Sequence, residues 1–223
     1  MGDNRRDTLN GSKELIERVS QPLPLVDGRV LENQGVLEVA KMMLVSARTA
    51  PKTGGVDDIV TGFVNGEELD RIAKAMDNIG EERGIDGFHR DANNVRDSDA
   101  VVLIGVRGNK KYALNCGACG FGTCDEFTHA DEAGGMDFTG PTCVFKALDL
   151  GIALGSAVKT AGILNVDNRI MYRIGAAAMK LKILPEATVV MGIPLSAKGK
   201  SIYYDRTAAL SMKITPTSAT ART

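Results

Sequence analysis

Residues 100–106 read AVVLIGV, an unbroken run of apolar and small side chains with β-branched residues at 101, 102, 104 and 106. A strand with one face in water alternates apolar with polar, so this run predicts a strand covered on both faces. It ends at RGNKK (107–111), a polar turn cluster. Working outward, DIVTGFV (58–64) and ATVVMGIP (187–194) read as two further apolar strands. Helical patterns lie between and around them. Apolar residues at 36, 40, 43 and 47, joined by 37, 39 and 44, form a stripe that APKTGG (50–55) breaks. Asn65 followed by Glu68 resembles a capping box opening a helix to about residue 79. IGEERGIDGFHRDANNVRDSD (79–99) reads as a polar loop or broken helix, and Lys13–Val19 as a short helical candidate. Two more helices are predicted over about 142–163 and 168–181, the second with a stripe at Ile170, Ile174, Ala177, Ala178 and Leu181. A few strongly apolar strands among helices predict an α/β (α+β) sandwich, a sheet with helices on both faces.

At 223 residues the chain suits one substantial domain. The reading is an N-terminal extension (1–30), a single domain (31–207) and a C-terminal tail (208–223) rich in Thr, Ser and Ala. Net charge is −1 with no block of like charge, which argues against a nucleic-acid partner or a membrane surface. Tryptophan is absent, which argues against base or sugar stacking. MGDNRRDTLNGSK (1–13) has no apolar core and does not read as a signal peptide. CVFKALDLGIALGSAVKTAGIL (143–164) is interrupted by Lys146, Asp149 and Lys159, so it reads as a buried helix, not a membrane span. The expected location is cytoplasmic, where thiols stay reduced.

All four cysteines fall within residues 115–143, NCGACGFGTCDEFTHADEAGGMDFTGPTC. The spacing is Cys116-x2-Cys119-x4-Cys124-x18-Cys143. Three thiols in one tight loop and a fourth returning later suit the corners of a [4Fe-4S] cubane. Gly117, Gly120 and Gly122 would let backbone N–H groups approach the sulfurs. Three other readings compete. Structural zinc usually takes two separated C-x2-C knuckles, and only one is present here. A CGAC dithiol leaves Cys124 and Cys143 unexplained. Four unrelated buried thiols fit poorly with their confinement to one segment.

CGACGFGTC (116–124) with a distant cysteine resembles the [4Fe-4S] module of corrinoid iron–sulfur proteins and electron-transport subunits. Such modules often end in Cys-Pro, whereas Pro141 here precedes Cys143 by two residues. More broadly, CGACGFGTC, GPTCVFKALDLGIALGSAV (140–158) and ILPEATVVMGIPLSAKGKSIYYDR (183–206) resemble a family of uncharacterised prokaryotic ferredoxin-domain proteins. The order of elements, with SARTAP (46–51) closing a helix and LPEATVVMGIP (184–194) near the end, is similar to the nitroreductase fold. That resemblance implies a sandwich with an inserted iron–sulfur loop, oxidoreductase chemistry, a homodimer with tails packed on the partner, and FMN. By analogy Arg48, Lys52, Lys200 and Arg206 would hold the FMN phosphate. An early Arg-Ser-x-Arg motif is not evident, and KTGGVDDI (52–59) replaces the usual stretch after the first long helix.

For each of these cations a solvated or ion-paired surface role competes with the functional one. Gly151 and Gly155 suggest close helix packing or cofactor approach. His129 reads as a solvated loop residue, with a proton relay as its functional alternative. Asp125, Glu126, Asp131, Glu132 and Asp137 read as solubilising acids that would also lower a cluster's potential. The function expected is electron transfer through one [4Fe-4S] cluster to or from a partner protein, a flavin or a small substrate. The alternative is a structural or interaction protein whose cysteines hold zinc or a static cluster.

Overall fold

The computed structural model describes residues 25–204. The chain divides into two units, residues 1–32 and 33–223. In the first unit the Asp27 carboxylate accepts the Arg29 N–H at 3.0 Å, capping helix α1 (Gly28–Thr49) at its start. The expected helix at Lys13–Val19 and the tail 208–223 lie outside the described residues.

The second unit is built on a four-stranded sheet of order β1 (Ile59–Asn65), β2 (Ala100–Val106), β6 (Val189–Ser196), β5 (Asp167–Asn168). All three pairings are antiparallel, with Ile59 opposite Val106 and Val106 opposite Val189. Every residue of β2 is buried. The period of two sorts its side chains. Val101 and Leu103 enter one core with Ile72, Met76, Phe88 and Ile174, from helices α2 (Glu68–Arg83), α3 (Asp86–Arg96) and α6 (Tyr172–Lys180). Val102, Ile104 and Val106 enter the other with Val36, Met43, Leu150 and Ala157, from α1 and α5 (Val144–Ile163). Each such side chain contributes about 1.5–3 kcal/mol through burial. The sandwich expected from the sequence is therefore the fold, with an antiparallel sheet between two helical layers. A short helix α4 (Cys124–His129) and a two-residue ladder of β3 (Ala133–Gly134) with β4 (Thr139–Gly140) lie between β2 and α5.

Helix α6 rests on β6 at backbone distance. A Cβ on Gly175 would stand 1.8 Å from the Val190 carbonyl oxygen, and one on Gly192 would stand 2.1 Å from Ile174 Cγ2. Two expectations need correction, and one pair of alternatives is resolved. The Asn65–Glu68 capping box does not form, because Asn65 stays in the ladder opposite Ala100 and Gly66 turns the chain at φ +60°. Glu67 then precedes α2 without a side-chain cap. Of the two readings of the polar stretch 79–99, the broken helix holds: it contains the end of α2 and all of α3, separated by Gly84 in the left-handed region at φ +64°. The helix expected from 168 starts only at Tyr172, because Asp167–Asn168 joins the sheet and Met171 bridges to Gly192. Among the described residues no helix is long and apolar enough to cross a membrane.

Candidate metal centre

Leaving β2, the chain reaches Gly108, whose N–H donates to Thr188 Oγ1 at 2.9 Å and whose carbonyl accepts the Cys143 N–H at 2.9 Å. A Cβ at Gly108 would lie 2.7 Å from both Thr142 and Thr188, so this meeting of β2 with the start of α5 needs glycine. Cys143 is thereby fixed as the N-cap of a 20-residue helix and is 6% exposed. The positive end of that helix dipole suits an anionic sulfur ligand.

The other three cysteines lie on a loop curled by residues of positive φ: Ala113 (63°), Asn115 (48°), Gly117 (72°) and Gly120 (90°). The Gly120 N–H closes a turn on the Gly117 carbonyl at 3.0 Å. Asn115 tolerates the left-handed region because its short amide bonds locally. Its Oδ1 accepts the Cys124 N–H at 2.8 Å, while its own N–H points at Cys124 Sγ at 3.3 Å. Thr123 caps α4 in a complete capping box with Glu126, whose carboxylate also accepts the Gly122 N–H at 2.9 Å. Cys124 opens that helix, so it is held from both sides.

All four thiols are free. They border one narrow cavity, walled also by Tyr112, Leu114, Phe121, Phe127, Val144 and Phe145. Phe121 and Phe127 meet edge to face at 5.8 Å. Cys116 is exposed, Cys119 and Cys124 are half-buried and Cys143 is buried, so one edge of the site faces solvent. Among the described residues no three His, Cys, Asp or Glu side chains converge as ligands of a single ion do. Four soft sulfur donors around an aromatic-walled space are a donor set for iron–sulfur ligation.

Behind Tyr112 lies a charge cluster that sequence reasoning registered only as breaks in an apolar run. Lys146 is 0% exposed and pairs with Asp58 Oδ2 at 2.7 Å. Arg107 reaches Asp58 Oδ1 at 3.2 Å. Asp149 accepts the N–H and hydroxyl of Thr53 on Oδ1, at 2.8 and 2.9 Å, and its buried Oδ2 has no hydrogen-bond partner among the described residues. Charges three residues apart within an apolar helix were the available signal.

Arg48 and Lys52 come together at the C-terminal end of α1, both against Asp57. Arg48 also donates to the Ile59 carbonyl at 2.8 Å, and Lys52 to the carbonyls of Ala47 and Arg48. Burial lowers the Lys52 pKa, with Asp57 opposing it. Neither cation stands free as a phosphate cradle. Lys200 is exposed in the segment after β6, and Arg206 lies outside the described residues. His129 is exposed, its Nδ1 2.7 Å from the Asp125 carbonyl. Several acids have structural partners: Asp125 pairs with Lys111, Asp137 with Arg83, and Glu132 accepts from Asn109. Gly151 and Gly155 are exposed, and among the described residues no packed neighbour lies within 4 Å of a Cβ there, so no helix of the described residues packs on them.

Residues 139–206 match the family model described as "Uncharacterized protein containing a ferredoxin domain (DUF2148)". An "Uncharacterized protein" of Archaeoglobus fulgidus is 51% identical over 182 residues, which cover 82% of this chain and 97% of that protein. The fold is similar to that of nitroreductase CinD from Lactococcus lactis in complex with nicotinic acid, with a TM-score of 0.50, 11% identity, and coverage of 75% of this chain and 79% of that one. Nitroreductase A from Vibrio parahaemolyticus gives a TM-score of 0.46 at 10% identity over 74% of this chain, which spans 59% of that one.

Proposed function

The chain belongs to the family of uncharacterized proteins containing a ferredoxin domain, and from that premise we propose that it is a redox protein binding one [4Fe-4S] cluster. The observation that carries this reading is that all four cysteines of the chain border a single cavity. When bound, the cluster supplies one-electron chemistry. Cys116, Cys119, Cys124 and Cys143 would hold it. Four thiolates leave no iron corner open, which favours electron transfer over Lewis-acid chemistry. The Asn115 N–H supports the Cys124 sulfur, and the rings of Tyr112, Phe121, Phe127 and Phe145 keep water from the inner side. The exposed Cys116 edge is where a partner protein or small substrate would exchange electrons. Reduced thiols at such a site fit a cytoplasmic location.

The nitroreductase-like fold argues for FMN, but the engagement of Arg48 and Lys52 argues against their holding its phosphate. We therefore place the redox function on the cysteine site. The outward face of α5 supports a homodimer.

Anaerobic purification with iron, sulfide, zinc and flavin measured on one sample tests the reading. About four irons and four sulfides per chain are expected. Changing Cys119 or Cys124 to Ala should strip or convert the cluster. A colourless protein with stoichiometric zinc, or an unchanged four-iron spectrum in both variants, would overturn the assignment.

A further inference from the structure

Lys146 lies one helical turn beyond Cys143 and is fully buried, a position that an ammonium rarely occupies without a partner. Asp58 answers it at 2.7 Å, and the Val56 carbonyl accepts at 3.4 Å. Arg107 shares the same carboxylate at 3.2 Å, so one acid serves two cations. The further acid on Arg107, Glu186, is 63% exposed and screened by water. With the buried Asp149, the inner group of Lys146, Arg107, Asp58 and Asp149 sets two cations against two acids, and the Lys146 ammonium is the cation set over the Tyr112 ring. Lys146 Nζ also stands 5.5 Å from the centroid of the Tyr112 ring, and that ring is a wall of the cysteine cavity. The Tyr112 hydroxyl packs directly on Gly54, where a Cβ would stand 1.3 Å from it.

We propose that Lys146 is a positioning residue that acts by charge, raising the potential at which the four-cysteine site accepts an electron. The inference rests on the cluster reading. A cluster held by four thiolates gains one negative charge when an external donor reduces it, and a buried cation favours that state. In a low-dielectric surround the attraction is screened far less than at the surface. A plain tether between α5 and the start of β1 would hold the same contacts without setting a potential.

The test is a reductive titration of anaerobically purified full-length protein, with iron and sulfide quantified in every sample. Lys146→Met, which keeps length and apolar bulk, should lower the midpoint potential. The expected size is about tenfold in the reduction equilibrium, or about 59 mV for one electron. Asp58→Asn should raise it, and Lys146→Arg should stay near wild type. Opposite signs for the Met and Asn variants mark a charge effect, because a loosened and wetter site would move both the same way. Iron-loaded Lys146→Met with an unchanged potential, or shifts of one sign in both variants, would overturn the proposal. If Lys146→Met does not load iron, Asp58→Asn decides alone: a rise supports the proposal, and no change or a fall overturns it. A wild-type protein without iron removes the cluster reading and this inference together. A loaded wild type with unmoved variants removes only this one.

Discussion

The Asn115 side chain accepts the N–H of Cys124 while its main-chain N–H points at that cysteine's sulfur, and its backbone is left-handed. Replacing it with Ala removes a hydrogen bond of about 1 kcal/mol. Ala is also left in the left-handed region, at a further cost of about 1–2 kcal/mol. Asn115→Ala should therefore release iron to a chelator several-fold faster than wild type. Asn115→Gly keeps the backbone and loses only the amide, so its effect should be smaller; equal rates for Gly and Ala would remove the backbone part of the account. Nothing in NCGAC marks this clamp, since Asn115 and Cys124 meet only once the loop has closed. The candidate ligands themselves were legible because cysteine occurs nowhere else in the chain.

Between elements, two junctions invite measurement. Helix α6 meets β6 at Gly175, where a methyl group would overlap the Val190 carbonyl. Gly175→Ala should cost about 1–3 kcal/mol through overpacking. Denaturant melting reads it, and an unchanged midpoint would contradict the close approach. The junction of α1 with β1 turns on Asp57. Burial pushes its pKa up, but the hydrogen bonds from Arg48 and the Ile59 N–H, with the charges of Arg48 and Lys52, outweigh that and hold it below the ordinary value of 3.8. A depressed folded pKa means that the stabilisation is present above the ordinary value and is lost as pH falls through the folded one. The stability gap between wild type and Asp57→Asn should therefore be constant near neutrality and shrink on acidification below about pH 4. A gap independent of pH would show that the carboxylate's charge plays no part there. Helices were legible at this scale wherever a stripe repeated, as at Val36, Ala40, Met43 and Ala47, all of which are buried. The capping box failed because sheet pairing claimed Asn65, and local pattern carries no information about that competition.

At the scale of the whole molecule, α5 carries Cys143 at its buried start and turns Leu148 (54% exposed) and Ile152 (44%) outward, with Gly151 and Gly155 bare on the same helix. Apolar side chains and flat glycines on an outer helix are the surface a second copy can cover. In the proposed homodimer, Ile152→Asp should shift sedimentation at micromolar concentration toward the monomer, with iron content unchanged. A monomeric wild type would sink the dimer. The sequence by itself determined the three long strands and most of the helices, and it gathered the candidate thiol ligands in one segment, because burial leaves a period in the chain and rare residues mark themselves. The antiparallel strand order was decided only by the tertiary structure, since an apolar run such as 100–106 is buried whichever way its neighbours point. So were the Lys146–Asp58 pair behind the cavity and the engagement of Arg48 and Lys52 by Asp57. Whether a charge finds a partner depends on which distant segments the fold brings together, and that is not written in the spacing of either residue.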